Sequence, residues 1–171
     1  MEWTKTMRVG PIRAIVISGA IWLVIGGMLT YKGLVLLARS VATFAHNPGP
    51  LMKGLYQLFQ NVERSGMILV FTAILLGQLK GTFILAKSVK RFIKRILLIP
   101  SPIPLKALFP WNYLALVGGM MALGIALRIS SIPTDIKAFI DLAVGSALIS
   151  GAFLYFRQAS MLKMEFSKRK K

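Results

Sequence analysis

Four apolar stretches of membrane-spanning length, residues 14–37, 67–86, 111–127 and 138–156, are fenced at their ends by lysine and arginine. About twenty apolar residues in a helix cross the hydrocarbon of a bilayer, and in lipid only a helix or a closed barrel satisfies its own backbone. The pattern therefore predicts an all-α chain: a four-helix integral membrane bundle occupying residues 1–171 as a single membrane domain. Charge confirms the class. Twenty-two Lys and Arg stand against five Asp and Glu, yet the mean hydropathy is +0.67. A basic soluble protein would spread those charges through amphipathic helices, whereas here they collect where apolar runs stop.

Positive residues are retained on the cytoplasmic side, so their positions predict topology. Lys5, Arg8 and Arg13 precede the first stretch; Lys87, Lys90, Arg91, Lys94, Arg95 and Lys106 follow the second; the tail 157–171 carries Arg157, Lys163 and Lys168–Lys171. The first connection holds Lys32, Arg39, Lys53 and Arg64, and the third only Arg128 and Lys137. Both termini inside, with four crossings, is the consistent solution, and the first connection is its weakest point. The charged-then-apolar N-terminus resembles a signal peptide, but its apolar part, Ala14–Thr30, outruns a usual signal core and no small-residue cleavage site follows. An uncleaved first span is expected. So strong a positive-inside bias points to a bacterial cytoplasmic membrane.

Breaks between stretches carry turn chemistry. His46-Asn47-Pro48-Gly49-Pro50 ends the first helix, the Pro-rich linker 100–110 is stiff and extended, and Pro133-Thr134-Asp135 restarts a helix with its own cap. Trp111 and Tyr113 suit an interfacial anchor.

Several chemistries fall away. Without cysteine there is no thiolate metal site, and a single His, His46, makes no multi-His site, so no metal and no cofactor is expected. Phosphate loops, paired carboxylates and nucleophile elbows are missing from the sequence, and no catalytic residue is assigned. Nucleic acid is not the expected partner, because basic flanks of membrane spans need no further explanation.

Small residues recur at helical spacing. Ala73, Gly77 and Gly81 lie four apart in the second stretch, Gly118, Ala122 and Ala126 in the third, and Ala143, Ala147 and Gly151 in the fourth. The first stretch repeats at seven through Gly19, Gly26, Gly33 and Ser40. Such stripes let backbones approach closely where packing drives helix association, within one subunit or across a homo-oligomer seam. A second pattern pairs Lys32-Gly33 and Leu37-Ala38-Arg39-Ser40-Val41 with Lys80-Gly81 and Leu85-Ala86-Lys87-Ser88-Val89. Separated by one crossing, the copies would face opposite membrane surfaces, as in inverted-topology repeats.

Three charged features bear on function. Lys80 sits inside the second apolar run, where it either lines a path or snorkels to the headgroups. Asp141 is the one acid within a candidate span, expected to pair with Lys137 or Arg128 or to serve a conduit. Lys87, Lys90, Arg91 and Lys94 follow the spacing of one helical face, with Leu85, Val89, Phe92, Ile93 and Ile96 on the other; this collar is expected to contact anionic lipid headgroups, its apolar face sunk in the leaflet. Leu51, Leu55, Leu58, Phe59 and Val62 form a further apolar face, either an interfacial helix or an extension of the second span.

These features predict a non-catalytic accessory or organiser protein that engages anionic phospholipid or a membrane-complex partner through a basic cytoplasmic face. A small oligomeric transporter or channel built from inverted repeats, with Lys80 and Asp141 near its path, is the alternative. A holin-like lesion-forming protein is a third.

Overall fold

The computed structural model describes residues 8–98, 103–104, 118–119, 122, 124–126 and 129–168. Among them the chain is helical apart from turns and one two-residue strand pair, β1 (Arg8–Val9) against β2 (Ile103–Pro104). Helix α1 (Pro11–Ala42) begins with proline in its first turn, where the missing N–H costs nothing. It is followed by α2 (Pro50–Phe59), α3 (Val62–Lys80), a π-helical segment (Gly81–Leu85), α4 (Ala86–Leu98) and α5 (Thr134–Lys168).

Among the described residues, three helices are long and apolar enough to cross a membrane: Pro11–Ala42, Val62–Phe83 and Thr134–Met164. The fold is thus that of a membrane protein. The predicted third span, 111–127, lies for the most part outside the described residues; Gly118, Gly119, Ala122, Gly124, Ile125 and Ala126 within it are helical.

Glycine sets how these helices meet. The seven-residue series on α1 runs down one face and is buried throughout, at Gly19, Gly26, Gly33 and Ser40. A Cβ on Gly26 would stand 2.9 Å from the Gly145 carbonyl oxygen, and one on Gly33 2.9 Å from the Leu142 nitrogen. Backbone therefore lies on backbone along the α1–α5 seam. Gly19 meets Tyr155 and Phe156 while Gly33 meets Ala138 and Leu142, so α1 and α5 run antiparallel. On another face of α5, Gly77 approaches Ala143 and Ser146, and a Cβ on Gly81 would stand 2.8 Å from the Ala147 Cα. Helix α3 thus runs parallel to α5.

Two buried clusters follow. At one end of the bundle, Ala14, Ile15 and Trp22 of α1 pack with Val89 and Ile93 of α4 and with Leu148, Ala152, Tyr155 and Ala159 of α5. This is the basic end, where the β1–β2 pair also ties the start of α1 to the chain beyond α4. At the other, Leu37, Met52, Leu69, Ala73, Ala138 and Leu142 join α1, α2, α3 and α5. Hydroxyls within the long helices bond back to their own turns: Thr30 Oγ1 donates to Gly26 O (2.9 Å), Thr72 Oγ1 to Ile68 O (2.7 Å) and Ser150 Oγ to Ser146 O (2.9 Å). A polar group in lipid is satisfied locally in this way.

Of the face predicted from Leu51 to Val62, Leu51, Leu55, Leu58 and Phe59 belong to a separate helix, α2, while Val62 opens α3. Gln60 adopts a left-handed conformation (φ 53°), and Asn61 then caps α3 by accepting from the Arg64 amide at 3.0 Å. The residue that α2 buries is Met52, whereas Leu51, Leu58 and Phe59 remain exposed.

Candidate functional site

The collar predicted around Lys87 is helix α4, and it is positioned by the turn that precedes it. Residues four apart on an α-helix drift by about 40° around its axis, so an unbroken helix would carry Val89 and Ile93 away from the face that holds Gly77 and Gly81. The π segment Gly81–Leu85 rotates less per residue and offsets that drift. Its Thr82 hydroxyl donates to the carbonyls of Gln78 (2.8 Å) and Leu79 (3.0 Å), sharing one donor between acceptors of the preceding turn. As a result Val89 and Ile93 are buried against α1 and α5.

For Val89 and Ile93 this corrects the expectation of an apolar face sunk in the leaflet. Of that face, the described side chains are Val89 and Ile93, and both are turned into protein. Lipid and protein offer an apolar side chain similar solvation, so the closeness of packing decides between them. Lys87, Lys90, Arg91 and Lys94 are all exposed on the opposite side of α4. The cations are therefore mounted on a helix docked to the bundle.

Asp141 is paired, but not with the partners expected from its neighbourhood in sequence. Lys32 Nζ of α1 lies 3.0 Å from Asp141 Oδ2, while Lys137 instead donates to the Ser130 carbonyl at 2.9 Å. Arg128 lies outside the described residues. Side-chain exposure is 51% for Lys32 and 9% for Asp141, so the lysine reaches in from the surface to a nearly buried acid. Among the described residues no aligned hydrogen bond reaches Asp141 Oδ2; the contact is an ion pair held by proximity.

Lys80 is exposed beside Gly77 and Gly81 on the α3 side of α5, whereas Asp141 faces α1. The two charges that a conduit would bring together thus lie on different faces of α5. The Lys-Gly copies are likewise separated: Gly33 meets Ala138 and Leu142 toward the α2 end, and Gly81 meets Ala147 nearer the basic end.

Of the small-residue series, Ala73, Gly77 and Gly151 are buried, and Gly81, Ala143 and Ala147 form the α3–α5 contact. Gly118, Ala122 and Ala126 are exposed, and a Cβ added at Gly118 would meet no atom within 4 Å. Among the described residues, that stripe is not part of a close helix contact like the α1–α5 or α3–α5 seams.

Sequence reading missed Asp135. It is fully buried and accepts hydrogen bonds from the amides of Leu51 (2.7 Å) and Met52 (3.1 Å) with Oδ2, and from Ile136 with Oδ1 (2.9 Å). It therefore caps α2, a helix whose own cap residue is Gly49 and has no side chain to offer. A Cβ on Gly49 would collide with the Asp135 carboxylate, so the glycine makes room for this cap. The chain matches no protein-family profile, no curated protein and no solved structure, and the site rests on its own geometry.

Proposed function

We propose that this chain crosses a membrane four times, with its basic end in the cytoplasm, and acts as a non-catalytic organiser that gathers anionic phospholipid through helix α4. The observation that carries this reading is the docking of α4 through Val89 and Ile93, which leaves Lys87, Lys90, Arg91 and Lys94 exposed as one platform. Each basic residue near an anionic surface contributes on the order of 1 kcal/mol, and a docked helix loses little further freedom when lipid binds.

The parallel course of α3 and α5 supports the fourth crossing. If both span in the same direction, the chain between Leu98 and Thr134 must return across the bilayer, and 111–127 is its apolar stretch of spanning length. The chain between α1 and α3 then lies outside; of the four basic residues assigned to the first connection, Lys32 and Arg39 fall within α1 and Arg64 within α3, which leaves it Lys53. The cytoplasmic side keeps the N-terminal cluster, α4 and the tail, which carry the larger share. A bacterial cytoplasmic membrane is the proposed setting. The separation of Lys80 from Asp141 favours this role over a transporter.

Reconstitution with spin-labelled lipids tests the platform. Phosphatidylglycerol should be enriched over phosphatidylcholine at the protein surface, and the preference should fall with salt and with Lys87, Lys90, Arg91 and Lys94 all changed to Gln. A preference indifferent to both overturns the reading.

A further inference from the structure

The α3–α5 seam is not closed along its whole length. Between residues 76–81 and 139–148 a groove of about 400 Å³ opens on the side of the bundle, lined almost wholly by carbon. Its volume falls within the range of small-molecule sites, roughly 300–1,000 Å³. Gly77 and Gly81 line it on one side and Ala143 and Ala147 on the other; a Cβ at either glycine would strike the α5 backbone, so the glycines bring α5 close while the small alanines leave the space beside the seam open. Leu76 and Phe139 flank it.

The groove is polar at one end only. Lys80 lies at the level of Ala147, toward the basic end, and no ion-pair partner meets it among the described residues. From there the apolar lining runs toward Phe139, eight residues back along α5, about 12 Å at helical rise. A cation at the cytoplasmic end, with hydrocarbon leading from it toward the bilayer middle, matches the polarity of an inner-leaflet phospholipid. It does not match a lipid of the outer leaflet, whose headgroup would meet Phe139.

We propose that this groove binds one anionic phospholipid of the cytoplasmic leaflet, an acyl chain lying against Gly77, Gly81, Ala143 and Ala147 and the phosphate held by Lys80. The assignment rests on the basic end facing the cytoplasm. Lys80 approaches the phosphate by snorkelling, its stem covering the groove's inner end while the ammonium rises toward the headgroup layer. This is one stoichiometric lipid, distinct from those gathered by α4. An ammonium–phosphate hydrogen bond is charge-assisted, and its loss is expected to weaken retention roughly tenfold.

Native mass spectrometry of the full chain, released from nanodiscs of phosphatidylglycerol and phosphatidylcholine, reads this directly. One phosphatidylglycerol should survive activation that strips phosphatidylcholine. Lys80→Gln should lower its retention roughly tenfold, and Leu76→Trp, at a position 42% exposed and tolerant of bulk, should displace it. Changing Lys87, Lys90, Arg91 and Lys94 to Gln should leave that one lipid in place, so failure of the platform and failure of the groove are separable. Equal retention of both lipids, or retention unmoved by both Lys80→Gln and Leu76→Trp, overturns the proposal. The chain has no native cysteine, so Leu76→Cys paired with Ala122→Cys adds a second readout. Efficient cross-linking within a monomer would give the groove to the chain's own third apolar stretch, and cross-linking between monomers to a second copy; either result overturns lipid occupancy.

Discussion

Asp135 shows how one side chain joins distant parts of this fold. A short helix that starts Gly49-Pro50 has unsatisfied amides and no cap of its own, and the carboxylate arrives from the start of α5. Replacing it with Ala should cost about 1–3 kcal/mol, the range for a lost cap or a charged hydrogen bond. Asp135→Asn keeps one acceptor and should cost less. Thermal unfolding in detergent measures both, and identical midpoints for wild type and Asp135→Ala would rule out the cap. The Lys32–Asp141 pair should be asymmetric. Lys32→Gln leaves a nearly buried carboxylate without its counter-charge and should cost about 1–3 kcal/mol, whereas Asp141→Asn leaves a half-exposed lysine that water solvates and should cost less than about 1 kcal/mol. The double variant should be more stable than Lys32→Gln alone. Equal single-variant losses would show that the ion pair is not what the acid requires.

Among elements, the π segment decides what α4 can do. Inserting one Ala between Leu85 and Ala86 adds one α-helical residue after the π turn and should rotate α4 by about 100°, the turn per residue of a helix. With single cysteines in this cysteine-free background, Val89→Cys should label slowly and Lys90→Cys quickly; the insertion should narrow or invert that ratio. An unchanged ratio would mean that the register set by the π turn is not what docks α4. Nothing in Gly81-Thr82-Phe83-Ile84-Leu85 announces a π turn, because its cause is the fit of two distant faces onto α5, and this is why sequence reading placed Val89 and Ile93 in lipid. The heptad Gly19, Gly26, Gly33 and Ser40 was legible, since a repeat of seven on one helix has few causes besides a packed seam. Asp141 was legible as an exceptional acid, but local spacing suggested Lys137, and only the antiparallel seam brings Lys32 to it. Pro133-Thr134-Asp135 reads as a helix start, but sequence proximity cannot reveal that the Asp135 carboxylate caps a different helix.

Over the whole molecule, the three long helices form a compact arrangement in which α5 is central, touching α1 through one face and α3 through another. Its 35 residues extend about 52 Å at helical rise, well beyond a hydrocarbon core of about 30 Å. The surplus at the basic end carries Arg157, Lys163 and Lys168, adding to the charge presented by α4. Both the lipid platform and the lipid groove require α4 and the C-terminal part of α5 to lie on the cytoplasmic side, and the proposed topology, in which the parallel α3 and α5 both span, requires a crossing between them. Labelling of single cysteines by a membrane-impermeant maleimide in intact cells, against lysed cells, tests this most directly. Cysteines replacing His46 and Ser131 should react from outside, and those replacing Lys94 and Ser167 only after lysis; reaction of Ser131→Cys only after lysis, with His46→Cys still labelled from outside, would contradict the fourth crossing and the account built on it.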